Sequence, residues 1–322
     1  MNNCTTTKHP VHTLLDGFFA EAKISDMIAT YQKKNSSFSK WLMFSDYCLD
    51  DKHKANDVMT FVLMPFESEA RYLEMQHIIH DMQPLDIKRT NTVNKDFLSY
   101  LKKENMFTFS FVFNDRKHFF APSNDQCLKG IKETLQIICG CYERWKKKTN
   151  DKEVLEYYDK AAKTINSQLT QLDRKNPDIK LLNDILITAF LGAYVSAKVL
   201  ERLPIDIFGW FSDRDKVISG KRNIIVPIFN YYQHNLLDGR QFLFCTFTHD
   251  DTVKPFYDDF NRIADVVTGA MADYNMVEDY ITADKFNTVL TDFLVDNKQA
   301  LIFRIPKIDN KYRVGHITMH PK

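Results

Sequence analysis

The sequence has almost no excess charge of either sign, with Lys plus Arg at 43 and Asp plus Glu at 42 in 322 residues. Its overall field therefore cannot draw it onto a polyanion as a strongly basic domain is drawn, and any nucleic-acid site must be a local groove. Long apolar runs are also missing. Nowhere do about 18 apolar residues follow one another, and the opening MNNCTTTKHPVHTLLDGFF lacks the positive start and unbroken apolar stretch of a signal peptide. Neither membrane spanning nor secretion is expected, and a cytoplasmic setting is. Cysteine is sparse: Cys4, Cys48, Cys127, Cys139, Cys141 and Cys245 are irregularly spaced, which suits a reducing compartment better than a disulfide scaffold. Cys139 and Cys141 do not form a CxxC pair and read as buried thiols on a helix. The sequence contains no GxxxxGK[ST], GxGxxG or GxSxG, which disfavours the usual nucleotide triphosphatases, dehydrogenases and serine hydrolases.

What is present is an ordinary globular balance of 44% hydrophobic and 26% charged residues, enough to bury a full core. Over 11–32, Leu14, Leu15, Phe18, Phe19, Ile24, Met27, Ile28 and Tyr31 recur at helical spacing. Residues 41–44 form a short apolar run suited to a strand buried on both faces. A second strand at 58–64 is stopped by Pro65 and followed by a helix over 68–82. At 106–113 four phenylalanines alternate with Thr108, Ser110 and Val112, the period of a strand. Helical periodicity dominates from 124 to about 203. Further strands are expected at 205–211 and 242–247, a helix at 257–274, and a tail helix with a hairpin of 300–305 and 312–318.

These elements predict an α/β fold with a mixed five-stranded sheet, flanking helices and a large helical insertion. The expected divisions are an N-terminal helical extension at 1–38, a core at 39–123 and 184–275, the insertion at 124–183, and a C-terminal helix and hairpin at 276–322.

Two expected strands run into aspartates, the first into Asp46 and the fourth into Asp213 and Asp215. Sites in open α/β sheets form beyond the carboxyl ends of strands, so Asp46 and Asp213 converge if those strands are parallel neighbours. Asp265 lies in Ile263-Ala264-Asp265-Val266-Val267, a helix otherwise built to lie flat on a sheet, where a lone carboxylate needs a proton, a cation or a metal. Gly269 would let that helix approach the strand ends closely. Three such carboxylates suit Mg²⁺ or Mn²⁺, and a two-ion version cleaves phosphodiesters. The plainer readings are turns or helix caps for Asp46 and Asp213, and a salt bridge to Arg262 or a lysine for Asp265.

Other features carry less chemistry. His77 and His80 lack a third ligand and read as a helix face. His249-Asp250-Asp251 reads as a loop. Lys146-Lys147-Lys148, with Trp145 beside them, is followed by Asp151, Glu153 and Glu156 and reads as a solvated helix.

The order of these elements over 40–274 resembles a bacterial and phage RNase H-like family of unknown function, which opens with an Asp-Glu-Ser-Gly strand and closes with a Leu-Ala-Asp helix. Ser45-Asp46-Tyr47-Cys48 stands at the first motif and Asp86-Ile87-Lys88 at a Glu-x-Lys motif. Ser212-Asp213-Arg214-Asp215 stands at the fourth strand and Arg262-Ile263-Ala264-Asp265-Val266-Val267 at the closing helix. The chain departs from that pattern where Tyr-Cys-Leu replaces Glu-Ser-Gly and Asp86 replaces Glu.

The resemblance implies an RNase H-like core, strand order three, two, one, four, five, and a nuclease-like hydrolase. It further implies Asp46, Asp213 and Asp265 as ligands of Mg²⁺ or Mn²⁺, Asp86 as a fourth carboxylate and Lys88 as a phosphate contact. Expected partners are a nucleic acid in a local groove and, through the helical insertion, a protein or a second copy of the chain. The alternative is a non-catalytic RNase H-like interaction module with a degenerate site.

Overall fold

The computed structural model describes residues 10–116, 119, 123–174, 177–213, 215–246, 255–309 and 311–319. The chain divides into two compact units: a helical unit of Met1–His12, Asp115–Lys198 and Arg214–Arg240, and a sheet unit of Thr13–Asn114, Val199–Asp213 and Gln241–Lys322.

In the sheet unit, α1 (Pro10–Phe19) and α2 (Ala22–Lys34) precede β1 (Lys40–Cys48) and β2 (Asp57–Pro65). Then come α3 (Glu69–Met82), α4 (Lys95–Lys103) and β3 (Phe107–Phe113). The helical unit supplies α5 (Asn124–Lys146), α6 (Lys152–Leu172) and α7 (Ile179–Leu200). The chain returns through β4 (Ile207–Ser212), adds α8 (Lys216–Ser219) and α9 (Ile225–Leu236) to the helical unit, and re-enters the sheet at β5 (Leu243–Thr246). The remainder is α10 (Asp258–Asp273), α11 (Asp284–Thr288), β6 (Ala300–Ile305), a two-residue ladder of β7 (Lys307–Ile308) with β8 (Lys311–Tyr312), and β9 (Gly315–Ile317).

The sheet is mixed and runs β5-β4-β1-β2-β3-β6-β9. β1 is antiparallel to β2 and parallel to β4, β2 is antiparallel to β3, and β4 is parallel to β5. The expected order three, two, one, four, five is therefore present. The sheet has seven strands rather than five, because the tail hairpin is not a separate appendage: β6 adds parallel to β3 and β9 antiparallel to β6. The sequence shows the strand periodicity of 300–305 but not its distant partner.

Alternation along the strands sorts their side chains onto two faces. On one, Phe19 of α1 stacks on Phe109 (6.2 Å) and Phe303 (5.4 Å), and Tyr31 of α2 meets Phe107 edge-on (5.3 Å) while donating its hydroxyl to the Leu63 carbonyl (3.2 Å). On the other, α10 lies across β1 and β2, with Phe260 stacked on Phe44 at 5.0 Å. The expected helix at 11–32 is broken at Ala20 and Glu21 into two, and both halves cover this sheet rather than forming an extension.

The helical unit is larger than the 124–183 segment expected, taking in most of α7 together with α8 and α9. Tyr142 donates to the Pro227 carbonyl (2.7 Å), Trp145 packs on His234 (4.3 Å between centroids), and buried Arg116 pairs with Asp184 at 3.1 Å. By length and composition α7 is apolar enough to cross a membrane, with a mean hydropathy of 1.4 over its most apolar 18 residues, of which 83% are buried in the protein. Four of the five described cysteines are free. Cys139 is the buried thiol expected, whereas Cys141 is disulfide-bonded, which corrects the expectation of thiols throughout.

Phe109 is fully buried between α1 and the sheet. Phe109→Ala is expected to cost about 3–5 kcal/mol in urea unfolding, the usual loss for an aromatic core truncation. A loss below about 1 kcal/mol would contradict this layer.

Candidate functional site

β1 and β4 run parallel in register from Lys40 opposite Ile207 to Ser45 opposite Ser212, and the Asp213 N–H continues the ladder to the Ser45 carbonyl at 3.3 Å. Neighbouring strands lie about 4.8 Å apart, so the next residues, Asp46 and Asp213, stand side by side. Asp213 begins the loop after β4 as expected. Asp46 does not begin a loop: β1 continues to Cys48, because β2 pairs with it as far as Cys48 opposite Val58. The carboxylate thus comes from within a central strand and is only 6% exposed.

α10 supplies the opposite wall. Asp258, Asn261, Arg262 and Asp265 recur at i, i+3, i+4 and i+7, a polar stripe on one face of the helix. With Asp46, Asp86, Arg89 and Asp213 they line a cleft of about 210 Å³ whose surface is almost entirely polar. Of these, Asn261 and Arg262 were not singled out as site residues from the sequence, although the stripe was available as a signal. The Asn261 amide, turned so that its nitrogen donates to the Phe211 carbonyl (3.3 Å), accepts from the Asp213 N–H at 3.2 Å and so fixes the backbone that carries Asp213.

The segment 86–90 forms the lip. Asp265 accepts a hydrogen bond from the Ile87 N–H at 2.7 Å, and Lys285 of α11 donates to the Ile87 and Thr90 carbonyls at 2.7 and 2.8 Å. Gly269 makes room for this segment, since a Cβ there would meet Ile87 Cγ2 at 2.8 Å. The close approach expected of Gly269 is therefore to Ile87, not to a strand end. Nothing in the sequence pattern marks Lys285, because its partners are backbone carbonyls far away in the chain.

Arg262 makes an ion pair with Asp86 and another with Asp258 at 3.3 Å, and Arg89 reaches Asp86 at 3.7 Å. Asp86 is thus engaged by cations rather than left beside the other acids. Asp265 is not the hydrogen-bonded partner of Arg262, although that charge favours its ionised form. Lys88 is exposed and within electrostatic reach of Asp46, Asp265 and Asp213. Burial works against its ammonium, but those acids and Cys48 outweigh it and raise the pKa overall.

Burial and the nearby charges of Asp265 and Asp213 push the Asp46 carboxyl well above the usual range, against Lys88 and the Tyr47 N–H. Asp265 is raised as well, chiefly by burial, with the Ile87 N–H, Lys88 and Arg262 opposing. The three acids face one cleft and repel one another, yet among the described residues no group of three His, Cys, Asp or Glu is arranged to hold a metal ion. The cleft is a set of facing acids rather than a finished coordination shell.

Behind Asp46, on the other face of β1, Ser45 Oγ lies 2.6 Å from the Tyr47 hydroxyl and accepts from Trp210 Nε1 at 2.9 Å, while Ser212 Oγ donates to the Ser45 carbonyl at 3.1 Å. These buried groups tie the ends of β1 and β4 together.

The remaining sequence features lie elsewhere. Asp215 caps α8 by accepting from the Ile218 N–H, His80 bonds Asp259 at 3.1 Å, and Lys146 pairs with Asp159 at 2.8 Å. His249-Asp250-Asp251 falls outside the described residues. Compared with protein-family models, curated proteins and solved structures, the chain matches none.

Because the folded protein holds the Asp46 proton more tightly than the unfolded chain does, wild-type stability falls as pH rises from about 4 through the raised native pKa. Asp46→Asn removes that slope. In a pH series of thermal melts without added metal it is expected to melt about 2–4 °C above wild type at pH 7, the shift for about 1 kcal/mol in a domain of this size. A variant melting below wild type at pH 7 would contradict the account of like-charge repulsion.

Proposed function

We propose that the sheet unit is an RNase H-like module that hydrolyses nucleic-acid phosphodiesters with the help of Mg²⁺ or Mn²⁺. One observation carries this reading: Asp46 and Asp213, at adjacent positions of parallel neighbouring strands, face Asp265 on the helix that follows the fifth strand. The β3-β2-β1-β4-β5 order supports it, as does the match of these three acids to the motifs of the resembling family.

The donor set fits a hard divalent cation. All three groups are carboxylates, and two of them are held in a state where burial and mutual repulsion disfavour their charge, which a bound cation relieves. Asp46, Asp213 and Asp265 would hold it. Such an ion acts as a Lewis acid toward a phosphoryl oxygen and makes water a better nucleophile at neutral pH. Around it, Asp86 and Asp258 orient Arg262, Asn261 fixes the Asp213 backbone, and Lys88 and Arg89 at the lip offer positive charge to a phosphate.

A second reading, a non-catalytic module of the same fold, is favoured by one observation. Lys88 already brings a positive charge within electrostatic reach of the three acids and can serve as their counter-ion without a metal.

Thermal unfolding of wild type and Asp265→Asn with and without millimolar Mn²⁺ separates the two. The asparagine keeps an oxygen for the Ile87 N–H, so the fold persists. The expected result is a rise of several degrees in wild type, corresponding to about 2.7 kcal/mol at a hundred times the Kd, and little or none in the variant. Cleavage of oligonucleotides should track that rise. No rise in either protein would make Lys88 the resident cation and the non-catalytic module the better reading.

A further inference from the structure

Phe44 stands two residues before Asp46 on β1, and Phe211 two residues before Asp213 at the end of β4. Positions two apart on a strand share a face and lie about 6.6–6.8 Å apart. Along both strands, therefore, an aromatic layer lies one step behind the acids and on their side of the sheet.

The layer is continuous. Phe44 stacks on Phe260 (5.0 Å), Phe260 on Tyr72 (4.4 Å), and the Phe211 ring meets Phe256 edge-on at 5.3 Å. It is buried apart from its outer edge, where Phe256 is 54% exposed. The backbone there is held, since the Phe256 carbonyl accepts from Gln76 Nε2 at 3.1 Å and the Tyr72 hydroxyl at 3.4 Å. Two residues further on, Asp258 begins the polar stripe that lines the cleft.

An isolated exposed phenylalanine on a protein surface calls for no explanation. This ring differs in being braced from behind by Phe211 and Tyr72 and in standing two residues before Asp258, which lines a cleft that contains acids and arginines. A braced aromatic surface has already lost its side-chain freedom, so a flat π-system can stack on it at low entropic cost. A ligand that combines such a π-system with a neighbouring phosphodiester is an unpaired nucleotide, because in a duplex the base faces are already stacked.

We propose that Phe256 is the stacking platform for an unpaired nucleobase, and that the cleft takes the adjoining phosphate of a single-stranded rather than a fully paired nucleic acid. This rests on the phosphodiesterase reading of the cleft.

The test is fluorescence-anisotropy binding of a labelled single-stranded ten-nucleotide probe and of the matching duplex to the full-length chain, with Ca²⁺ replacing Mn²⁺. Wild type, Phe256→Ala and Phe256→Trp are compared, and thermal melts check that each is folded. Single-strand affinity should fall about 5- to 150-fold in Phe256→Ala and be kept in Phe256→Trp, as expected for loss and retention of one stacked base. Duplex affinity should change less than about twofold by the same stacking argument. If Phe256→Ala binds the single strand as wild type does, the platform is wrong while the cleft reading stands. If wild type binds neither probe, the cleft reading falls and the platform with it.

Discussion

Parallel hydrogen bonding between β1 and β4, in register through Ser45 and Ser212, joins strands that lie on either side of α5, α6 and α7 in the sequence. That register sets Asp46 beside Asp213. A slip of one residue would turn one carboxylate to the opposite face, where Ser45, Tyr47, Trp210 and Ser212 now form a buried polar network. The network makes such a slip costly, since the contacts that Trp210 and Ser212 of β4 make to Ser45 and Tyr47 of β1 would be lost. One set of polar contacts on one face thus holds two acids in place on the other. α10 then needs only to lie across β1 and β2 for Asp265 to complete the group.

The acids in turn oppose the fold that gathers them. Asp46 and Asp265 are held in a cleft where burial and like charge disfavour ionisation, and Arg262 is committed to Asp86 and Asp258 rather than to either. A protein optimised for stability alone would place an amide or an apolar side chain at position 46. Carboxylates perturbed in this way gather at functional sites, which is why this cleft motivates the proposed function. The lip is built to endure it: Lys285 grips two carbonyls of the segment 86–90, the Ile87 N–H grips Asp265, and Gly269 leaves room for the contact. The C-terminal segment is in this sense part of the cleft.

How much could be read in advance follows from whether each signal is local. The alternating phenylalanines of 107–113, the apolar run into Asp46, the strand ending at Asp213 and the charged residue inside the 258–273 helix are all local patterns, and the structure has strands and a helix there. Strand order was reachable because the arrangement of elements along the chain resembled a known one. The parallel docking of β6 on β3, the clamp by Lys285 and the packing of α1 and α2 against the Phe row depend on partners far away in sequence, to which hydrophobic periodicity is blind. The edges of the helical unit were missed for a related reason. The helical period of 124–203 is interrupted at Asn176-Pro177, but that stop is no mark of where one unit ends. Asn261 and Arg262 were within reach, since their spacing from Asp258 and Asp265 traces a single helix face.

The claim at the centre of this account is that strand register gathers Asp46, Asp213 and Asp265 into a site for a divalent cation. The most direct measurement is a crystal structure of the wild-type chain grown with Mn²⁺, with the anomalous difference map examined at this cleft. The account predicts a peak within about 2.0–2.3 Å of carboxylate oxygens from at least two of the three aspartates. A cleft without anomalous signal, with the Lys88 ammonium lying among the acids, would contradict it.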